Sequence, residues 1–213
     1  MADVAVAVSP RVSDTLNVSE SLTFEEFLNV VDEDTHAEWV DGKIVMASPV
    51  SLAHQSEGLF LLKLVAEFVE VRNLGTVLYE SFQMQTDTDM PSREPDILFV
   101  ANENRNRLQN TFLSGPADLV VEIVSPESVA RDRGEKFAEY ERGGVREYWI
   151  IDPIRRQTDF FVRGDEGLFR AVLPDAEGVC RSVVLPGFYL RIAWLFAATK
   201  PRLLDILREW GLL

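Results

Sequence analysis

Apolar positions along the chain follow two periods. From Ser51 to about Arg72, the residues Leu52, Leu59, Leu62, Val65, Phe68 and Val69 recur at helical spacing. They predict the longest helix, with Gly75 as its stop signal. Upstream, Thr23-Phe24-Glu25-Glu26 has the form of a capping box opening a short helix. Ala37 to Met46 reads as two short strands around an Asp41-Gly42 turn. Thr76 to Gln85 reads as a further strand, and Asp87 to Glu94, which holds Pro91, as a polar loop. Two runs, Asp96 to Val100 and Ala117 to Val124, are apolar on both faces and predict central, covered strands.

Between those runs, residues 101–116 read as a charged loop or short helix. Arg131 to Arg142 predicts a helix closed by Gly143-Gly144. Glu147 to Ile151 predicts another buried strand, ended by Asp152-Pro153. Residues 158–195 predict a meander of short strands. Thr199 to Trp210 predicts a terminal helix, with Thr199 as N-cap and Pro201 in the first turn. The expected class is mixed α/β: a central mixed β-sheet flanked by helices, with additional β-strands. No repeat at a fixed period occurs. Residues 1–20 are small, polar and aperiodic and are expected to be flexible. Residues 21–213 are expected to form a single domain.

Composition narrows the function classes. The chain has 213 residues, 46% of them apolar, which supports a sizeable core. No run approaches the roughly 18 apolar residues of a membrane span, and Met1 to Asp14 does not read as a secretory leader. Cys180 is the sole cysteine, which excludes an internal disulfide and suits a reducing cytoplasm, the expected location. A net charge of −14 opposes nonspecific coating of nucleic acid, which depends on neutralising phosphates. It leaves room for a small basic groove on an acidic body.

Asp96 and Glu122 carry the candidate chemistry. Each is a carboxylate in or beside an apolar strand, where a charge must be exposed, paired or bound to metal. Magnesium takes hard oxygen ligands, usually one or two carboxylates completed by water and substrate phosphate. Two carboxylates on neighbouring strands meet that need, and Ile123 can add its backbone carbonyl. Lys136 shares one helix face with Asp132 and Tyr140, each four residues apart. An ammonium there can position a water and offset charge on a phosphate, or simply pair with Asp132. Tyr140 is expected to pack, with its hydroxyl orienting Lys136 or Glu122. Glu38 is expected on a strand surface. With only His36 and His54 and no Cys/His ligand spacing, a structural zinc site is not expected. Nothing local specifies the base and oxyanion hole of a Ser-His hydrolase.

These residues stand in a recognisable order. Pro95-Asp96 is followed by Val121-Glu122-Ile123-Val124-Ser125-Pro126-Glu127-Ser128, then by Asp132, Lys136 and Tyr140, and then by Gly144-Val145-Arg146-Glu147-Tyr148-Trp149-Ile150-Ile151-Asp152-Pro153. Glu38-Trp39-Val40-Asp41-Gly42 and Ser48-Pro49 with His54 precede them. The set resembles the restriction endonuclease family called Uma-two over roughly residues 22–198. That family resembles a branch of the PD-(D/E)XK nuclease superfamily. The resemblance implies a restriction endonuclease-like core, with Asp96 and Glu122 as metal carboxylates. The usual third position, two residues after the glutamate, is Val124 here, and the lysine is implied to lie on the following helix as Lys136. His54 and Glu57, near the start of the long helix, are implied supporting residues. The implied reaction is magnesium-dependent hydrolysis of DNA phosphodiesters, with manganese as the alternative ion and a homodimer as the implied assembly. Two other functions stay open: a non-enzymatic binding or scaffold module keeping the fold, and a metal-dependent hydrolase of RNA or another phosphodiester.

Overall fold

The strands expected to be central do lie at the centre. The computed structural model describes residues 21–32 and 35–213; the flexibility expected of residues 1–20 lies outside them. In chain order the elements begin with α1 (Phe24–Val30), β1 (Ala37–Val40), β2 (Lys43–Met46), α2 (Leu52–Arg72), β3 (Gly75–Tyr79), β4 (Gln83–Gln85), β5 (Ser92–Arg93) and β6 (Ile97–Ala101). A 3-10 turn (Asn102–Arg107), β7 (Phe112–Ser114) and β8 (Leu119–Ile123) follow. A π-turn (Arg131–Glu135) runs into α3 (Lys136–Gly143). Then come β9 (Glu147–Asp152), β10 (Gln157–Arg163), β11 (Phe169–Val172), β12 (Val179–Arg181), β13 (Tyr189–Arg191), α4 (Ile192–Leu195) and α5 (Leu203–Glu209).

A six-stranded mixed sheet runs β11-β10-β9-β8-β6-β3. Only β8 and β9 are parallel, and the segment carrying α3 supplies the crossover that parallel strands need. Side chains alternate across this sheet. Ile97, Phe99, Leu119, Val121, Ile123, Trp149 and Ile151 pack on one side with α2 and α5. Leu98, Val100, Val120, Tyr148 and Ile150 pack on the other with Tyr140 of α3. A second sheet, β2-β1-β5-β4-β7, lies beside it, and β12 with β13 forms a small third one. Cys180 is buried in the α2-side core, and burial pushes its thiol up to about 12. Among the described residues no helix is long and apolar enough to cross a membrane.

The capping box at Thr23 and Glu26 is present in both directions, and Asp41 and Gly42 make the predicted turn with positive φ. Other expectations are corrected. Asn73, left-handed at φ 50°, ends α2. Gly75 instead opens β3, where a Cβ would come within 2.1 Å of the Val100 carbonyl oxygen. The single strand expected over Thr76 to Gln85 breaks at residues 80–82, and its halves join different sheets. The expected polar loop contains β5, whose Ser92 and Arg93 are fully enclosed. The helix expected from Arg131 begins as a π-turn. The terminal helix starts at Leu203 with Arg202 extended before it, so neither Thr199 nor Pro201 belongs to its first turn. Residues 158–195 divide between two sheets rather than forming one meander.

Glu147, at the start of β9, fastens the third sheet to the large one. Its buried carboxylate accepts from Trp149 Nε1 (2.7 Å), Ser182 Oγ (2.8 Å), and the backbone N–H groups of Val183 (2.9 Å) and Val184 (3.1 Å). Glu147→Ala leaves these donors short of an acceptor and is expected to cost about 2–3 kcal/mol, read as a lower urea midpoint. A loss below about 0.5 kcal/mol, the ordinary scale for a surface substitution, contradicts this account.

Candidate active site

Register brings the two carboxylates together. β6 and β8 are antiparallel, with Ile97 opposite Val121 and Leu98 opposite Val120. Continuing the register to the residue just before the start of β6 places Asp96 opposite Glu122, on the α3 side of the sheet. The Ile123 N–H donates to Asp96 Oδ2 at 2.5 Å, fixing Asp96 against the residue that follows Glu122. From α2, His54 places Nε2 3.3 Å from Asp96 Oδ1. Burial lowers the His54 pKa, but the hydrogen bond and charge of Asp96 outweigh it and leave it raised.

Glu122 is enclosed from the α3 side. Its Oε1 accepts from Lys136 Nζ at 2.9 Å and from the Tyr140 hydroxyl at 2.7 Å. Lys136 Nζ also lies 3.0 Å from Glu38 Oε1 and 3.9 Å from Asp132 Oδ1, and its side chain is only 3% exposed. Burial pulls the lysine pKa down, and these carboxylates more than reverse it, so Lys136 stays charged. Glu38 carries the matching charge: burial acts upward on it, but Lys136 and Arg93 hold it near 2. Glu122 goes the other way. Burial, with Asp132, Asp96 and Glu38 nearby, pushes it up to about 8 despite Lys136. Burial likewise raises Asp132, which accepts from Ser128 yet leaves Oδ1 without a hydrogen bond.

These groups open onto a cavity of about 110 Å³ whose walls include His54, Asp96, Glu122, Ile123, Asp132 and Lys136. Both hydrogen bonds to Glu122 end on Oε1, so Oε2 has no protein donor among the described residues. The surplus of carboxylates over ammonium, and the open oxygen, fit a hard divalent cation. Among the described residues no three Asp, Glu, His or Cys side chains are grouped to cage an ion by themselves. An ion held here would need backbone and water oxygens to complete its ligands.

The structure thus brings together Asp96, Glu122, Ile123, Lys136, His54 and Tyr140. Glu57 is not among them: it lies one turn along α2, and its carboxylate pairs with Lys200 Nζ at 2.6 Å, away from the cavity. Glu38 is not the surface residue its strand suggested; it is a buried partner of Lys136. Arg93 was missed. Its guanidinium donates to Glu38 (2.9 Å) and grips Glu139 of α3 with two bonds of 2.7 Å, so it locks β5, β1 and α3 together around Lys136. Glu94 was missed too; burial foremost, with Glu38 nearby, pushes its carboxyl up to about 7. The one sequence signal for this group was the density of charge at Arg93-Glu94 beside Asp96.

Residues 24–193 match the sequence model of the Uma2 family, described as "Putative restriction endonuclease". The crystal structure of "a putative nuclease belonging to DUF820" from Anabaena variabilis superposes with a TM-score of 0.67 at 18% identity, covering 83% of this chain and 98% of that one. No curated protein matches the chain.

Proposed function

The chain belongs to the Uma2 family, and from that premise and the site geometry we propose that it is a metal-dependent endonuclease of the PD-(D/E)XK type, hydrolysing DNA phosphodiesters. The observation that carries this reading is the cross-strand pairing of Asp96 with Glu122 at a cavity where carboxylates outnumber the ammonium group. Asp96, Glu122 and the Ile123 carbonyl would hold magnesium or manganese. A divalent ion bound there supplies a more acidic water and offsets negative charge on the phosphate. The chain's own residues set the ligands in place. His54 and the Ile123 N–H fix the Asp96 carboxylate, while Tyr140 and Lys136 fix Oε1 of Glu122 and leave Oε2 without a protein donor among the described residues. Lys136 acts here as a positioning residue, because its enclosure by Glu38, Glu122 and Asp132 keeps it from a substrate phosphate.

A homodimer in the cytoplasm would supply two such sites, one for each strand of a duplex. Purified protein with magnesium or manganese is expected to nick supercoiled DNA and to spare RNA of the same sequence. Cleavage of RNA alone would replace the proposed substrate. Tyr140→Phe removes one hydrogen bond to Glu122 and is expected to weaken metal binding by about tenfold, the usual scale for a partner that orients a ligand. Calorimetric titration checks it, and unchanged affinity would deny Tyr140 that role.

A further inference from the structure

A strand of nucleic acid entering this cleft meets mostly negative charge. Glu80, Glu94, Glu127 and Asp132 line the cavity with the two proposed ligands. Lys136 also lines it but is neutralised within its buried cluster. Arg131 is the other strong cation on this wall, and its situation differs. Its side chain is half-buried. Its Nε is buried without a hydrogen-bond partner. It makes no ion pair among the described residues, whereas Arg133, two positions on, is paired with Asp159.

The backbone explains how Arg131 reaches the cavity. The Lys136 N–H bonds to the Arg131 carbonyl, closing a π-turn. In an α-helix, residues five apart are rotated by about 140° and face different ways. A turn closed five residues apart brings them toward the same side instead. Arg131 therefore shares the cavity wall with Lys136. A guanidinium offers its two Nη groups as a planar fork that matches two oxygens of a phosphate. The Arg131 Nε is enclosed, and the Nη groups, which make no hydrogen bond among the described residues, are the donors open to the cavity.

Building on the nuclease reading, we propose that Arg131 is the phosphate anchor of the cleft: its guanidinium binds phosphate oxygens of a nucleic-acid strand lying beside Asp96 and Glu122. Calorimetric titration of a 5′-phosphorylated thymidine dinucleotide tests it, with calcium in place of magnesium to restrain cleavage, on wild type, Arg131→Gln and Arg131→Lys. Wild type is expected to bind. Arg131→Gln is expected to bind about 10- to 100-fold more weakly, the range for losing a hydrogen bond to a charged group. Arg131→Lys, which keeps the charge but not the fork, is expected to fall between them. Thymidine without phosphate is expected not to bind. Equal affinity in wild type and Arg131→Gln, or no binding by wild type, overturns the anchor. Arg131-dependent binding by a protein that cleaves neither DNA nor RNA sustains the anchor and removes the nuclease reading. Cleavage with binding insensitive to Arg131→Gln does the reverse.

Discussion

Glu122→Gln is expected to abolish cleavage while leaving the metal-free protein folded and at least as stable as wild type. If the metal ion supplies several kcal/mol of transition-state stabilisation, losing it lowers the rate by about 1000-fold or more. The stability half follows from titration. Burial, with Asp132, Asp96 and Glu38 close by, raises Glu122 from 4.5 to about 8. Between those values the native state holds a proton that the unfolded chain has released. Stability therefore falls as pH rises through that window and levels off above about pH 8. Glutamine has no such proton to hold. The advantage of Glu122→Gln over wild type in chelator is thus expected to grow from pH 5 to pH 8, read as the difference in urea midpoints. A variant that is inactive because it is unfolded would contradict the assignment of Glu122 to function over stability.

Lys136→Met is expected to be the most destabilising single change at the site. It removes the ammonium while Glu38, Glu122 and Asp132 stay buried around the gap. Breaking a buried charge cluster by removing one partner costs about 3–5 kcal/mol, a large part of the roughly 5–15 kcal/mol that holds a domain together. The double variant Lys136→Met/Glu122→Gln removes one of the stranded acids and is expected to recover part of the loss. The interaction energy from that double-mutant cycle checks the cluster directly. A loss below about 1 kcal/mol for Lys136→Met would show that the carboxylates simply take up protons and that the lysine does not hold them.

Local signals were legible in the sequence, and long-range ones were not. The hairpin at Asp41-Gly42, the capping box at Thr23 and the span of α2 depend on neighbours in the chain, and each stands where its residues placed it. Asp96 and Glu122 were also legible, because a carboxylate in an otherwise apolar strand must have a partner. Glu38 and Arg93 were not. β1 joins β5 at Trp39 and Ser92, far apart in sequence, and no local period announces that pairing. β5 is too short and polar to show alternation, so the segment read as a loop although Arg93 is 2% exposed. Thr199 had the chemistry of a cap. The residue before a proline is biased toward extended backbone, however, and Lys200 instead reaches back to Glu57. The π-turn at Arg131 leaves the apolar pattern intact and had no sequence signature.

In the proposed reaction Asp96 and Glu122 together hold a divalent cation that the chemistry requires. The most direct test is calorimetric titration of magnesium and manganese into wild type and Glu122→Gln, with nicking of supercoiled plasmid measured on the same samples. Wild type is expected to bind the ion and nick, and Glu122→Gln, folded, is expected to do neither. Metal binding and nicking that persist in Glu122→Gln would contradict the account.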